Sequence, residues 1–260
     1  MIKKTFDYNG TKVVYYEDGK GWPVVLLHGW GCSNETMKPV AEHLAPDFHV
    51  YNFDLPGHGE SDEPNCAWST VEYTEMLKAF FKEEKIEKPI IIAHSFGGRL
   101  SIRLGAAKIP HKMILTGCAG LKPKRGLDYY AKVYSYKAAK KALSLPGLRK
   151  RKDEILGNMR KKKGSTDYQQ ASEAMRGTFV KVVNEDLKNL LPEIEAPTLL
   201  YWGENDTATP LEDGKTMEKN MQDAGLVVMK NSTHYAYLEN LGNFLAVADS
   251  FLKPESNKNC

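Results

Sequence analysis

Short continuous apolar runs alternate along the chain with longer segments in which apolar residues recur every three or four positions. The first pattern is typical of strands buried on both faces, and the second is typical of amphipathic helices. The runs predict strands at residues 24–27, 198–202 and 226–229 and within the segments "HVYNFD", "IIIA" and "KMILTGC". The helical spacing predicts helices over residues 34–44, 69–84, 96–107, 211–223 and 239–252. Because strands and helices alternate, we expect an α/β fold with a mostly parallel central sheet covered by helices on both faces.

Two further strands are predicted at the start of the chain, where residues 2–8 and 11–17 flank Asn9 and Gly10. An Asn-Gly pair permits the positive φ angles of a tight two-residue turn. These residues therefore predict an antiparallel hairpin ahead of the parallel strands.

Residues 122–185 interrupt the alternation, because their pattern is helical throughout and contains no strand-like run. A chain of 260 residues is long enough for one α/β domain with an insertion. We therefore expect an α/β core formed by residues 1–121 and 186–260, with residues 122–185 inserted as a helical lid.

The N-terminal segment and the cysteines indicate the cellular compartment. The first ten residues contain two lysines but no apolar segment behind them, which does not fit a signal peptide. No apolar run approaches the roughly 18 residues of a membrane-spanning helix. The four cysteines are irregularly spaced and form no CxxC pair, which favours reduced thiols over disulfides or a metal site. We expect a cytoplasmic protein without a membrane span.

The segment "PIIIAHSFGGRLS" places Ser95 between a predicted buried strand and a predicted helix. Ala93 and Gly97, two positions before and after this serine, are small enough for a sharp strand-to-helix turn. Gly98 allows the helix to pack closely on the sheet. Such a nucleophile elbow exposes the serine hydroxyl above the N-terminus of a helix, whereas Ser101 falls inside the helix. We therefore predict Ser95 as a catalytic nucleophile.

A serine hydroxyl needs a general base, and that base needs a third group to orient it. His234 follows the last predicted strand and Asp206 follows the strand before it, so both should reach the carboxyl edge of the sheet. The order Ser95, Asp206, His234 is the one expected on such a fold. Two rival acids fit less well, because Glu204 is too close to its strand and Asp213 falls in the next predicted helix.

The other six histidines are not predicted to act in catalysis. Three are interpreted as turn-stabilising or packing residues: His28, His58 and His94. Three more fall on predicted helix or loop surfaces without partners: His43, His49 and His111.

Acyl transfer also needs hydrogen-bond donors for the developing oxyanion. Phe96 directly follows the nucleophile, and Trp30 lies in the glycine-rich segment "HGWG" after the third predicted strand. We predict the backbone N–H groups of Trp30 and Phe96 as the oxyanion hole. Neither a metal nor an organic cofactor is expected, because the histidines near cysteines or acids lack ligand spacing.

Five segments occur in order over almost the whole chain: "LLHGWG", "DLPGHGES", "AHSFGGRL", "PTLLYWGENDTATP" and "STHYAYLEN". Together they resemble the α/β-hydrolase superfamily, and the single-domain carboxylesterase branch with a lid fits best. That branch includes pimeloyl-[acyl-carrier-protein] methyl ester esterases and meta-cleavage C–C hydrolases. Ala93 departs from the glycine that is commoner at its position in this family, but it is small enough for the elbow. The resemblance implies an α/β-hydrolase fold with a Ser-His-Asp triad.

The predicted lid is strongly basic. Residues 121–163 contain fifteen Lys or Arg and three acids, a net charge of +12, whereas the rest of the chain carries −9. One interpretation is a solvated face of lid helices. The other is a surface that attracts an anionic carrier or acyl thioester, rather than nucleic acid, since no base-reading motif accompanies the charge. Tyr130 and Tyr134 share a helical face here and are predicted to line a substrate-binding pocket.

These features predict a serine hydrolase that cleaves a small-molecule carboxylic ester through an acyl-enzyme intermediate. The same triad also serves C–C bond hydrolases and acyltransferases, and a ligand-binding receptor of this fold can retain it without catalysis. The sequence leaves these alternatives open, because the lid sets the choice of substrate.

Overall fold

The computed structural model describes residues 1–122 and 171–256. Within these residues, eight strands form one sheet: β1 (Ile2–Tyr8), β2 (Thr11–Asp18), β3 (Pro23–Leu27), β4 (His49–Asp54), β5 (Ile90–His94), β6 (Lys112–Thr116), β7 (Thr198–Gly203) and β8 (Ala224–Met229). The α-helices are α1 (Asn34–Leu44), α2 (Thr70–Glu83), α3 (Phe96–Ala106), α4 (Glu173–Asn184), α5 (Leu211–Asn220), α6 (Ala236–Glu239) and α7 (Leu241–Ser256). A 3₁₀ helix covers Lys188–Glu193.

The strands lie in the order β1-β2-β4-β3-β5-β6-β7-β8. The β1–β2 and β2–β4 pairs are antiparallel, and every later pair is parallel. The predicted hairpin is confirmed, since Asn9 and Gly10 both have positive φ between β1 and β2. Because the chain leaves β3 towards one side of the sheet and leaves β5 towards the other, a crevice opens between the carboxyl ends of these strands.

Helices cover both faces of the sheet and divide the core into two layers. One layer packs apolar residues of α1 and α7, including Met37, Val40 and Phe244, against the sheet. The other packs residues of α2 and α3, including Phe80 and Leu100, against the opposite face. The predicted α/β fold with a mostly parallel sheet is confirmed.

Two predicted helices have different bounds in the structure. The helix predicted over residues 211–223 ends at Asn220, because the carbonyl of Asp223 already accepts the N–H of Thr198 at the start of β7, 2.9 Å away. The helix predicted over residues 239–252 is two helices, α6 and α7. Asn240 separates them with φ −130° and ψ 49°, and its side-chain amide donates to Ser232 Oγ at 2.6 Å.

Helix α4 lies within residues 122–185, the segment predicted as a helical lid, and its helical conformation agrees with that prediction. It packs on the loop that precedes α2. The Trp68 N–H donates to the buried Oγ1 of Thr178 at 2.9 Å, and Lys181 Nζ donates to the carbonyl oxygen of Ala67. The predicted pocket residues Tyr130 and Tyr134, and the basic residues from Lys124 to Lys163, lie outside the described residues.

Candidate active site

Ser95 occupies a sharp turn between β5 and α3. Its backbone has φ 48° and ψ −104°, a region that a residue with a side chain rarely adopts and that concentrates at functional sites. The turn requires glycine at two following positions. A methyl group on Gly97 would overlap the carbonyl oxygen of Leu27, and one on Gly98 would overlap Cys118 Sγ. The close packing of these glycines leaves the Ser95 side chain directed away from the sheet.

Ser101 has a different environment. Its hydroxyl is buried inside α3 and donates to the carbonyl oxygen of Gly97 at 2.9 Å. The hydroxyl therefore stays within the helix, as the sequence predicts.

His234 connects the serine to an acid. It lies between β8 and α6, and its Nε2 is 2.9 Å from Ser95 Oγ. Its Nδ1 is 2.8 Å from Oδ2 of Asp206, which follows β7. The structure thus brings together the three residues selected from the sequence, from loops that follow three different strands. In this arrangement the serine hydroxyl can donate to Nε2 while Nδ1–H donates to the carboxylate.

The Asp206 carboxylate is buried and fully supplied with donors. Its Oδ1 accepts the backbone N–H groups of Ala208 and Thr209, each at 2.9 Å, and its Oδ2 accepts from His234 and from the Thr209 hydroxyl. Burial by itself would raise the pKa of Asp206. The hydrogen bonds from His234 and Thr209 outweigh burial, so the pKa lies below its ordinary value. Asp206 is therefore ionised at neutral pH.

The two rival acids lie elsewhere. Glu204 is exposed, and its Oε2 accepts the backbone N–H of Asn231 at 3.1 Å. Asp213 is in the first turn of α5. Neither contacts His234 in the way that Asp206 does.

The loop that contains Trp30 lies against the serine. A methyl group on Gly29 would be 3.4 Å from Ser95 Cβ and 2.9 Å from the His94 ring. Within the described residues, no protein group accepts the backbone N–H of Trp30 or of Phe96. Both N–H groups are therefore hydrogen-bond donors without an acceptor in this part of the chain.

An aromatic wall adjoins these two donors. The Trp30 ring lies 5.4 Å from Phe96, 4.9 Å from His58 and 5.2 Å from Phe179, measured between ring centroids. Phe179 belongs to α4, so the predicted lid segment contributes directly to the site. Neither His58 nor Phe179 was predicted from the sequence to belong to the site. No local signal identifies Phe179, since it is one of several apolar residues at helical spacing.

The buried histidines near the site are structural, as the sequence suggests. His94 Nδ1–H donates to the carbonyl oxygen of Thr116 at 3.1 Å. Its ring centroid lies 4.7 Å from that of His234. Burial lowers the pKa of His94 to about 3 and that of His28 to about 3. His28 Nε2 accepts the N–H of Leu55 at 3.0 Å. Both rings are therefore neutral packing groups.

Three histidines that were expected to have no partner do have one. His43 Nε2 is 2.8 Å from Asp249, His49 Nε2 is 3.4 Å from Glu17, and His111 Nε2 is 3.1 Å from Glu255. That expectation was wrong because each partner lies far away in the sequence and is brought close only by the fold.

The described residues contain neither a metal-binding cluster nor a membrane-spanning helix. In residues 1–122 and 171–256, no group of three or more His, Cys, Asp or Glu side chains is arranged to hold a metal ion. No helix in the same part of the chain combines the length and apolar character needed to cross a membrane.

Comparison with known proteins gives the family. The model of the "Alpha/beta hydrolase family" matches residues 24–247. The pimeloyl-[acyl-carrier protein] methyl ester esterase of Legionella pneumophila (strain Paris) is 25% identical over 249 residues, covering 90% of this chain and 97% of the relative.

Two solved structures share the fold. The esterase from Exiguobacterium antarcticum has a TM-score of 0.75 at 23% identity, with 97% of this chain and 100% of that chain covered. The meta-cleavage product hydrolase from Pseudomonas fluorescens IP01 has a TM-score of 0.72 at 19% identity, with 96% and 97% covered. The resemblance found in the sequence is confirmed. The chain belongs to the α/β-hydrolase family and is a carboxylesterase-like hydrolase.

Proposed function

We propose that this protein is a serine esterase in which Ser95, His234 and Asp206 form the catalytic triad. The observation that carries the proposal is the continuous hydrogen-bonded path from Ser95 Oγ through the His234 ring to Asp206. A hydroxyl within 2.9 Å of an imidazole nitrogen can transfer its proton as it attacks a carbonyl carbon.

In the first half of the reaction, Ser95 Oγ attacks the ester carbonyl and His234 Nε2 accepts the hydroxyl proton. The ionised Asp206 stabilises the imidazolium that forms and holds the ring in the tautomer with hydrogen on Nδ1. The free N–H groups of Trp30 and Phe96 bind the oxyanion. His234 then donates the proton to the leaving alcohol, and an acyl-Ser95 ester remains.

In the second half, water replaces the alcohol. His234 Nε2 removes a proton from the water as its oxygen attacks the acyl carbonyl. The tetrahedral intermediate uses the same two N–H donors and then collapses, and the proton returns to Ser95 Oγ. The products are a carboxylic acid and regenerated enzyme.

The aromatic wall and the predicted lid suggest how the substrate is held. Trp30 and Phe179 present an apolar surface beside the oxyanion donors, which suits the acyl chain of an ester. We propose that residues 122–185 act as the lid, because α4 from this segment supplies Phe179 to the site. Tyr130 and Tyr134 are proposed to extend the pocket.

We further propose that the acyl group is delivered on an anionic carrier or as an acyl thioester. The net charge of +12 in residues 121–163, against −9 in the rest of the chain, supports an electrostatic attraction. Relatives named for a carrier-bound methyl ester agree with this substrate class.

The free thiols of Cys32, Cys66 and Cys118 agree with a cytoplasmic location.

Labelling and turnover test the esterase proposal together. A fluorophosphonate probe should phosphonylate wild type at Ser95, with release of fluoride, and p-nitrophenyl butyrate should be hydrolysed. Ser95→Ala should lose both, whereas Ser101→Ala, a serine in the adjacent helix, should retain both. Failure of the probe to label Ser95, or more than a tenth of wild-type turnover in Ser95→Ala, would reject the proposed nucleophile.

Salt dependence tests the carrier. The value of kcat/KM should fall steeply with ionic strength for an acyl group on an acidic carrier protein, but not for a neutral p-nitrophenyl ester. The Debye length shortens from about 30 Å at 0.01 M to about 8 Å at 0.15 M, which weakens long-range attraction. Charge reversal at Arg149, Lys150, Arg151 and Lys152 should remove the difference. Equal salt dependence for both substrates would reject the carrier.

A further inference from the structure

The hydroxyl of Thr209 lies at the junction between Asp206 and His234. Its Oγ1 is 2.8 Å from Asp206 Oδ2 and 3.2 Å from His234 Nδ1. The Asp206 Oδ2 and His234 Nδ1 atoms are themselves 2.8 Å apart, so the three atoms form a closed triangle. Thr209 is 6% exposed, which leaves bulk water little access to these contacts.

The position of the hydroxyl proton follows from charge. Two acceptors lie within reach of Oγ1: Asp206 Oδ2 at 2.8 Å and the carbonyl oxygen of Gly117 at 3.0 Å. Oγ1 and a neighbouring acceptor oxygen repel each other unless a proton lies between them. This repulsion is greater for the anionic carboxylate oxygen of Asp206 than for the neutral carbonyl oxygen of Gly117. Hydrogen bonds to an ionised acceptor are also shorter and stronger than those to a neutral one. The proton is therefore assigned to the contact with Asp206.

Thr209 thus holds both oxygens of one carboxylate. Its backbone N–H donates to Oδ1 at 2.9 Å, and its hydroxyl donates to Oδ2. The first bond belongs to the turn and would form with any residue except proline. The second depends on the threonine side chain and reaches the same oxygen that accepts Nδ1–H of His234.

We propose that Thr209 is a positioning residue that sets the basicity of His234 by acting through Asp206. This inference rests on the proposed function, because it assigns a role to the His234–Asp206 pair. A hydroxyl proton on Oδ2 fixes the carboxylate relative to the imidazole and withdraws charge from the accepting oxygen. The carboxylate then stabilises the protonated imidazole less strongly. Loss of this hydroxyl should therefore strengthen the interaction of Asp206 with the protonated imidazole.

Other groups near His234 do not depend on the Thr209 hydroxyl. Besides Asp206, the titratable side chains that face the ring among the described residues are His94 and Tyr235, with ring centroids at 4.7 and 5.5 Å. Burial lowers the pKa of His94 to about 3, so it stays neutral above that pH. Substitution of the Thr209 hydroxyl therefore changes one interaction of the pair and leaves these neighbours in place.

Three variants isolate the hydroxyl. Thr209→Val replaces it with a methyl group of similar size and keeps the backbone N–H. Thr209→Ser keeps the hydroxyl and should behave like wild type. Thr207→Val is the matched control, because Thr207 is an exposed threonine in the same loop.

Two measurements are made on each variant: the pH profile of kcat/KM with p-nitrophenyl butyrate, and the ¹⁵N NMR titration of the His234 imidazole. The second measurement needs no turnover, and the His234 signal is assigned by its loss in His234→Gln. In Thr209→Val both midpoints should move to higher pH, by about half to one unit for loss of one charge-assisted hydrogen bond. The KM should stay unchanged, and kcat should fall by no more than about tenfold. Thr209→Ser and Thr207→Val should match wild type.

The proposal is overturned if the imidazole midpoint of Thr209→Val equals that of wild type, or if Thr209→Ser moves it as far as Thr209→Val does. The two measurements also separate this inference from the esterase proposal. A shifted imidazole midpoint in a protein that hydrolyses no ester would support the role of Thr209 and reject the esterase. Ser95-dependent hydrolysis with an unshifted midpoint would reject the role of Thr209 alone.

Discussion

Glu255, near the end of α7, pairs with Lys112 at the start of β6, with Oε2 and Nζ 2.7 Å apart. The Glu255 side chain is 3% exposed, and its other oxygen lies 3.1 Å from His111 Nε2. This cluster attaches the last helix to the central sheet. The same sheet and the segment before α7 position His234, so the pair contributes to the framework of the site.

Glu255→Gln should therefore destabilise the protein. Removing one partner of a buried ion pair leaves an uncompensated charge and costs about 3 kcal/mol or more of unfolding free energy. Urea denaturation at pH 7 measures this loss. Glu212→Gln is the matched control, because Glu212 pairs with Lys215 on the surface with 77% of its side chain exposed. Its loss should be less than about 1 kcal/mol. Equal losses in the two variants would contradict the role given to Glu255.

The stabilisation by Glu255 should also depend on pH. Burial by itself would raise the pKa of Glu255, but hydrogen bonds from Lys112 and His111 outweigh it and lower the pKa. A lowered folded-state pKa means that the stabilisation is fully present above the unfolded value of about 4.3. It is lost as the pH falls through the lower folded-state value. The stability difference between wild type and Glu255→Gln should therefore shrink below about pH 4.

Asp206→Asn should slow ester hydrolysis by roughly 10³- to 10⁴-fold. The amide carries no charge to stabilise the imidazolium, and its NH₂ group favours the tautomer with hydrogen on Nε2. Steady-state kinetics with p-nitrophenyl butyrate at pH 8 measure the effect, with KM expected to change little. Asp213→Asn, in the first turn of α5, serves as the acid control. Loss of activity in Asp213→Asn with retention in Asp206→Asn would exchange their assignments.

Gly98→Ala should destabilise the turn at Ser95. The added methyl group would overlap Cys118 Sγ, and overpacking of this kind costs about 1–3 kcal/mol. Cys118→Ala removes the sulfur, so the double variant should recover part of the loss in thermal denaturation. Gly242→Ala is the control, since a methyl group there meets no atom within 4 Å. If the double variant loses as much stability as the two single variants together, the sulfur of Cys118 is not what excludes a side chain at position 98.

Phe179→Ala should raise KM for long-chain p-nitrophenyl esters more than for the acetate. The substitution removes the ring that contacts Trp30 at a centroid distance of 5.2 Å, and with it the apolar surface proposed for the acyl chain. A chain-length series from acetate to octanoate measures the change. Val180→Ala is the control, because Val180 is on the same helix and 47% exposed. A uniform change in kcat across all chain lengths would instead indicate a general disturbance of the site.

Local patterns were sufficient to predict the eight strands, most of the helices and the order of the candidate triad. The apolar run before Ser95 and the glycines after it specify a buried strand, a sharp turn and a helix, because each depends on residues within a few positions. The Asn-Gly hairpin followed from the same kind of local preference. Where a boundary was wrong, as at Asn220, the deciding contact was a strand pairing between Asp223 and Thr198.

Contacts between distant segments were decided by the tertiary structure alone. Phe179 joins Trp30 at the site, Glu255 holds Lys112, and Gly98 must be free of a side chain because Cys118 lies against it. Thr209 is near Asp206 in the sequence, but its proposed positioning role depends on contact with His234, which follows β8 and comes close only in the folded chain. Hydrophobic periodicity encodes which face of an element is buried. It does not encode which distant side chain will meet that face, since this depends on how the strands are ordered and packed in the sheet.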